Sequence, residues 1–177
     1  LIEKGSSLEA KGNNGFTALH RAAFNGHVDA INTLIEKGSS LEAKDNDGYT
    51  ALHSAALYGH EEAINTLIAN KSSLEAKGKG GYTALHWAAQ QGHVDAINTL
   101  VEKGSSLEAK DNDGFTALHR AAQKGHLEAI NTLIEKGSSL EAKDQWGYTA
   151  LHRAAEEGHV EAINTLIEKG SSLEAKD

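Results

Sequence analysis

The sequence contains no cysteine, no proline and no methionine, and only 5% of its residues are aromatic. Without cysteine these residues form no disulfide, offer no thiolate nucleophile and hold no thiolate-bound metal. No apolar run approaches the ~20 residues that a membrane-spanning helix requires, and the sequence opens without a signal-peptide pattern. We therefore expect no membrane insertion and, by default, a cytoplasmic location.

The charge balance is acidic. Asp and Glu number 25 against 17 Lys and Arg, which gives a formal net charge of −8 with neutral histidines. A negative field repels the phosphate backbone of nucleic acids. At the same time 39% of the residues are hydrophobic, which is enough to build a buried core. The composition therefore predicts a folded protein with no nucleic-acid partner.

A 33-residue repeat dominates the sequence. The string T-A-L-H recurs at residues 17–20, 50–53, 83–86, 116–119 and 149–152, and A-I-N-T-L recurs in phase with it. Five full copies, numbered one to five in chain order, span residues 12–44, 45–77, 78–110, 111–143 and 144–176. Residues 1–11 are the end of a further copy. Because no linker interrupts the pattern, the sequence predicts a single array over residues 1–177.

Each copy predicts two short helices. In copy one, Thr17 suits the N-cap of the first helix, and Gly26 can adopt the left-handed conformation that ends it. The apolar face of this helix comprises Leu19, Ala22 and Ala23. A second helix is predicted from about Val28 and ends at Gly38 in the same way. Its apolar face comprises Ala30, Ile31, Leu34 and Ile35. One unit alone cannot bury both faces, so the units must stack.

The 33-residue period and the motif G-F/Y-T-A-L-H-x-A-A-x-x-G-H resemble the ankyrin repeat family over essentially the whole chain. Alanine, as at Ala18, replaces the proline of the family's T-P-L-H, and G-S-S-L-E-A replaces G-A-D-V-N-A. The resemblance implies an all-α solenoid of stacked helix–turn–helix units with short β-hairpin loops. It also implies a protein partner bound to a concave face of first helices and hairpin tips. The close similarity of the copies fits either recent duplication or an engineered consensus array.

The ten histidines form five pairs, such as His20 and His27, whose members are seven residues apart. A helical metal site needs ligands three or four residues apart on one helix, whereas Gly26 interrupts the helix between these two. We therefore expect the histidines to hydrogen-bond loops and helix ends, and we expect no metal site and no cofactor. Acidic residues such as Glu42 recur identically in each copy, whereas an active site is a single asymmetric arrangement. The sequence therefore predicts that the chain is not an enzyme.

The copies differ mainly at three positions of the first helix and at the hairpin tips. At 100° per residue the three helical positions lie opposite Leu19, Ala22 and Ala23, so we expect one exposed ribbon across the array. The candidate partner-binding residues are Arg21, Phe24, Asn25, Ser54, Leu57, Tyr58, Trp87, Gln90, Gln91, Arg120, Gln123, Lys124, Trp146, Arg153, Glu156 and Glu157. Grouped apolar side chains on a solvent face mark interaction sites. The aromatic N-terminal part of the ribbon is therefore predicted to anchor a partner, with the charged C-terminal part as a polar rim.

The alternative to a binding module is a structural or engineered scaffold with no dedicated partner. Under either function the last copy carries the same apolar set as the internal copies, Ala162, Ile163, Leu166 and Ile167. Natural arrays end in repeats with polar outer faces. We therefore expect uncapped ends that expose apolar surface and allow end-to-end self-association.

Copy two differs from the others where its second helix ends. It has Asn70-Lys71 at the place where the other full copies have a glycine such as Gly38. A left-handed backbone at Lys71 would cost about 1–2 kcal/mol relative to glycine. The alternative is that the left-handed conformation shifts to Asn70, which tolerates it better. The sequence therefore predicts a weak point in copy two.

Overall fold

The computed structural model describes residues 7–172, which form five consecutive pairs of antiparallel helices. The helices are α1 (Ala18–Phe24), α2 (Val28–Glu36), α3 (Ala51–Leu57), α4 (Glu61–Ala69), α5 (Ala84–Gln91), α6 (Val94–Glu102), α7 (Ala117–Lys124), α8 (Leu127–Glu135), α9 (Ala150–Glu156) and α10 (Val160–Glu168). One 3₁₀ turn spans Lys79–Gly81. No strand occurs within residues 7–172, so the predicted all-α class is confirmed.

The loops between pairs are tight turns that follow one another along the array. Each turn is closed by a backbone hydrogen bond, for example from Asp45 N to the carbonyl of Tyr49 at 2.9 Å. Neighbouring tips are joined by single backbone bonds, such as Lys79 N to the carbonyl of Asp47 at 2.7 Å. The hairpin arrangement is therefore present, although it is too short to contain a strand within the described residues.

The first helix of each copy begins at the predicted threonine cap. Thr17 and His20 form a capping box, in which the threonine hydroxyl accepts from His20 N and the imidazole accepts from Thr17 N. The same box caps α3, α5, α7 and α9. It satisfies backbone N–H groups that have no partner within the helix, and the prediction that Thr17 starts a helix is confirmed.

The core runs through the stack as one cluster. First helices pack on first helices, α1 on α3 and so on to α9, and second helices pack likewise on second helices. Leu19, Ala22 and Ala23 are buried as predicted. Ile31 is also fully buried, but Ala30 is exposed in copy one.

The last helix pair is better covered than expected. Ala162 and Leu166 of α10 are fully buried, and Ile163 is partly buried against the core. Only Ile167 of the four apolar residues is exposed, together with Val160 at the start of the helix. The predicted apolar surface at this end is therefore limited to Val160 and Ile167, because α10 packs on both α8 and α9.

The constant polar residues form hydrogen-bond ladders between neighbouring copies. His20 Nε2 donates to the carbonyl of Tyr49 in the next copy at 2.9 Å, and this bond recurs at the next three steps. Glu42 Oε1 accepts from the backbone N–H of Ser73 at 2.8 Å, again as one of a series. Lysine ammonium groups add a third series, for example from Lys77 Nζ to the carbonyl of Lys110 at 2.8 Å. These contacts explain why the same polar residues recur in every copy.

Copy two contains the strained backbone that its sequence predicted. Lys71 has φ of +73°, and it is the one non-glycine residue with positive φ in the described part of the chain. Its counterpart Gly104 has φ of +103°, and a Cβ there would meet nothing within 4 Å. The cost at Lys71 is therefore one of backbone conformation alone.

Candidate functional site

The three variable positions of the first helices differ sharply in exposure. The third position is exposed in all five copies, at Asn25, Tyr58, Gln91, Lys124 and Glu157. The second is half-buried at Phe24, Leu57, Gln90 and Gln123 and exposed at Glu156. The first is exposed at Arg21, half-buried at Trp87 and buried at Ser54, Arg120 and Arg153. The expected continuous exposed ribbon is therefore wrong at three residues, and only partly right at the half-buried ones.

The physical reason is that the loops lie against the outer side of the first helices. Arg120 Nε and Nη2 both donate to Asp111 Oδ2, at 2.9 and 2.5 Å, and the carboxylate belongs to the loop that precedes α7. The guanidinium carbon lies 4.2 Å from the ring centre of Phe115 and 4.6 Å from that of Tyr82. The Asp111 side chain is thereby 0% exposed. Arg120 is an interior ion pair between two aromatic rings, where cation–π attraction adds to the salt bridge.

Copy five repeats this arrangement at Arg153. Its Nε donates to Asp144 Oδ2 at 2.8 Å, and its Nη1 donates to Glu156 at 2.5 Å. The guanidinium carbon lies 4.8 Å from the ring centre of Phe115 and 5.0 Å from that of Tyr148. Burial opposes the charged carboxylate, but the hydrogen bonds from Arg153 and two backbone N–H groups lower the pKa of Asp144. Of the predicted polar rim, Lys124, Glu156 and Glu157 are therefore exposed, whereas Arg120 and Arg153 belong to the interior.

Copy one has the arginine without the acid. Gly12 occupies the place of Asp111, and no carboxylate within the described residues lies within salt-bridge distance of Arg21. Arg21 lies exposed, with its guanidinium carbon 5.5 Å from the ring centre of Phe16. Burial of an arginine at this position thus coincides with an aspartate at the start of the same copy.

An aromatic cluster lies on the outer face of copies one and two. The ring centres of Phe24 and Tyr58 are 4.2 Å apart, and Phe16 lies 6.2 Å from Phe24. Tyr58 is 44% exposed. Trp87 belongs to a second group in which its ring centre is 5.6 Å from that of Tyr49 and packs partly against the core. Of these large apolar side chains, Tyr58 is therefore the exposed one, whereas Phe24, Leu57 and Trp87 are half-buried.

A cavity of about 200 Å³ opens between these two groups in copy two. It is lined by Phe16, Asp45, Tyr49, His53, Ser54, Leu57 and Trp87. Ser54, Leu57 and Trp87 were predicted as binding residues, whereas the loop residues Phe16, Asp45 and Tyr49 were missed. A sequence signal for them does exist at Ser54. This small residue stands where copies four and five have an arginine, and all three copies have an aspartate nine residues earlier.

The capping histidines use both ring nitrogens in hydrogen bonds. The Nδ1 atom of His53 accepts from Thr50, and its Nε2–H donates to the carbonyl of Tyr82 at 3.0 Å. Burial lowers the pKa of His53 to about 4, and burial also lowers the pKa of His86 and His119. These rings are therefore neutral, and a metal could bind them only by displacing the bonds that link the copies. Within residues 7–172 no three histidine or acidic side chains are grouped so as to hold a metal ion.

Among the loop tips, copy five is the most apolar. Trp146 is 56% exposed, and its backbone N–H donates to Asp144 Oδ1 at 2.9 Å. The Arg153 guanidinium carbon lies 5.0 Å from the centre of the indole, so one face of the ring is supported while the remainder meets solvent. Trp146 is therefore exposed, as predicted.

In the described part of the chain, no helix has both the length and the apolar character needed to span a membrane. A search among curated proteins finds no match to the chain. The family model for ankyrin repeats (three copies) matches residues 1–78, 39–111, 66–144 and 104–177, which together cover the whole chain. The match agrees with the 33-residue period, the threonine-capped first helices and the stacked helix pairs described above. The chain belongs to the ankyrin repeat family.

Proposed function

We propose that the chain is a non-catalytic module that binds a protein partner on the concave face of first helices and hairpin tips. Ankyrin repeats are in general protein–protein interaction modules. The recognition surface in this proposal comprises Arg21, Phe24, Asn25, Leu57, Tyr58, Trp87, Gln90, Gln91, Gln123, Lys124, Trp146, Glu156 and Glu157. The observation that carries the proposal is the aromatic pair of the exposed Tyr58 and the half-buried Phe24.

Phe24 and Tyr58 have the properties of an interface anchor. Their rings are in contact, with centres 4.2 Å apart, although they come from different copies. Tyr58 closes α3 as its C-cap residue, so its backbone is fixed before any partner arrives. Binding energy in interfaces concentrates on such aromatic side chains, and a preorganised backbone reduces the ordering cost of association.

The polar members of the recognition surface surround this anchor and continue along the array. Asn25 and Gln91 flank the aromatic pair, and Lys124 and Glu157 follow on later copies, all exposed. Exposed polar residues at an interface rim contribute more to specificity than to affinity. Ser54, Arg120 and Arg153 are left out of the direct contact surface because they are buried.

The test is a display selection on natural protein fragments, followed by substitution of the anchor. Tyr58→Ala is expected to weaken binding of a selected partner about thirtyfold, the loss typical of a hot-spot truncation of 2 kcal/mol. Helicity and melting are expected to stay nearly unchanged, because the side chain is exposed. Val160→Ala is the control, since Val160 is an exposed apolar residue on a second helix.

The outcome that contradicts the proposal is a set of partners that bind Tyr58→Ala and Phe24→Ala as tightly as the unaltered chain. A selection that yields no binder favours the alternative, a scaffold with no dedicated partner. The ladders of constant residues between copies would serve that scaffold equally well, so the variable residues alone distinguish the two functions.

A further inference from the structure

We propose that the cavity of copy two is a receptor for an arginine side chain of the partner protein. The inference rests on the proposed function and specifies the chemistry of the partner. It is carried by a comparison within the chain, because copies four and five fill the corresponding place with their own arginines.

The acid of this receptor is held as it is in the two filled copies. Asp45 Oδ1 accepts from the backbone N–H groups of Asp47 and Tyr49, at 2.9 and 2.8 Å. Asp111 Oδ1 accepts the equivalent two bonds, both at 2.9 Å, and its other oxygen receives the guanidinium of Arg120. Asp45 lines the cavity and the same two bonds fix its carboxylate, so its Oδ2 atom corresponds to the atom that receives the guanidinium in copy four. No donor within residues 7–172 hydrogen-bonds to Asp45 Oδ2.

The aromatic walls are also equivalent. Arg120 lies between the ring of its own loop, Phe115, and the ring one copy earlier, Tyr82. The same two positions relative to Ser54 are occupied by Tyr49 and Phe16, and both line the cavity. Guanidinium groups stack on aromatic faces and remain charged while they do so.

The space itself is left by the small side chain of Ser54. A serine occupies the position from which Arg120 and Arg153 reach their aspartates, and it lies at the wall of a cavity of about 200 Å³. For comparison, an apolar cavity of about 150 Å³ accommodates benzene, which is larger than a guanidinium group. Trp87 and Leu57 complete the wall, so an entering side chain meets apolar surface along its stem and one carboxylate at its end.

The charges around the cavity favour a cation. Asp45 is the one charged side chain in the lining. His53, which also lines the cavity, is neutral because its Nδ1 atom accepts from the backbone N–H of Thr50 and so carries no proton. Asp47 lies nearby on the tip, where it pairs with Lys79 at 3.0 Å. Arginine is favoured over lysine because its planar fork can place two N–H groups on one carboxylate oxygen while its faces contact the rings, as Arg120 does.

The experiment is an NMR titration of the whole chain with N-acetyl-arginine-N-methylamide. The two tryptophans give separate indole N–H signals, of which Trp87 lines the cavity and Trp146 does not. We expect a saturable shift of the Trp87 signal with a dissociation constant on the order of millimolar, as suits a single side chain. The citrulline analogue, which is neutral and of the same shape, is expected to bind at least about tenfold more weakly.

Two substitutions locate the site. Ser54→Arg places the chain's own guanidinium beside Asp45 and is expected to abolish the titration of Trp87. Asp45→Asn is expected to weaken it at least about tenfold, because it removes the charge that the hydrogen bonds need. Asp29→Asn is the control, since it removes the charge of an exposed aspartate on α2 that does not line the cavity, and it is expected to change binding less than about threefold.

The inference is overturned if the Trp87 signal does not saturate, if citrulline or the lysine analogue binds as well as arginine, or if Ser54→Arg still binds. None of these outcomes touches the proposed function, whose test is the loss of a selected partner by Tyr58→Ala. Conversely, if Tyr58→Ala does not weaken binding of a selected partner, the arginine titration of Trp87 is unaffected. The two failures are therefore distinguishable.

Discussion

Copies two and four are built on the same backbone, yet one presents a cavity and the other a filled ion pair. Both begin with an aspartate whose Oδ1 atom caps the following turn, at Asp45 and Asp111. The difference is one side chain nine residues later, Ser54 in copy two and Arg120 in copy four. The residue at this position therefore decides whether a copy fills the space with its own guanidinium, while the neighbouring copies supply further walls.

The largest effect is expected from breaking the filled pair. Arg120→Ala leaves Asp111 buried without its partner, which should lower the free energy of unfolding by about 3 kcal/mol or more. Urea denaturation followed by circular dichroism measures it. Arg21→Ala is the matched control, because Arg21 is exposed and has no acid beside it, and a change within about 0.5 kcal/mol is expected there. Equal losses in the two variants would contradict the distinction between filled and unfilled copies.

The next effect concerns the histidines that join the copies. The pKa of His53 is about 4 in the folded chain against 6.5 ordinarily, so between these values only the unfolded chain binds the proton. Stability is then fully present above about pH 6.5 and falls toward pH 4, by about 1.4 kcal/mol per pH unit for this one residue. Denaturation midpoints at a series of pH values measure the slope. His53→Gln should reduce it, and His27→Gln, at an exposed ring, should not.

Relief of the backbone strain in copy two is expected to raise stability, whereas the changes described above lower it. Lys71→Gly should raise the free energy of unfolding by about 1 kcal/mol, which corresponds to roughly 2–4 °C in melting temperature for a chain of this size. Gly104→Lys is the mirror control in copy three and should lower stability by a similar amount, because an added side chain there meets no neighbour. An unchanged or lower midpoint for Lys71→Gly would show that the backbone at this residue costs nothing.

The smallest effect concerns contact between whole chains. We propose weak end-to-end association through α10, where Val160 and Ile167 are exposed, although the buried Ala162 and Leu166 contribute nothing to it. Sedimentation should show an average mass that rises slowly with concentration, and Ile167→Lys should suppress the rise. A strict monomer at high concentration would contradict this proposal.

The fold followed from the sequence because the signals that determine it are local and repeated. Thr17 lies three residues before His20 in a capping box, and Leu19 has the spacing of a buried helical face, so both roles could be assigned from one copy. The left-handed backbone at Lys71 was predicted from the glycines at the same place in other copies. Such features depend on residues only a few positions apart.

The surface was harder to predict because loops contribute to it. A helical projection places Arg120 opposite the buried face of α7, which includes Leu118. The projection contains no information about Asp111, the loop residue whose carboxylate holds the Arg120 side chain in the interior. The cavity was missed for the same reason, since Phe16 and Tyr49 reach it from two different loops. Comparison of Ser54 with Arg120 within the sequence would have indicated that space is left beside Ser54. It would not have indicated the aromatic residues that line this cavity.

The ladders between neighbouring copies have a consequence for how the gene can change. Every rung joins a residue to the adjacent unit, as His20 joins Tyr49, so a whole unit can be inserted or removed and the new neighbours still find their partners. The cavity does not share this freedom, because Phe16, Ser54 and Trp87 come from three successive units. Duplication of any one unit would lengthen the array without reproducing the cavity, whereas deletion of copy three would replace the tryptophan wall by Arg120. The length of the array can thus change by single duplications or deletions of a repeat. The cavity, in contrast, is kept only where copies one, two and three remain adjacent.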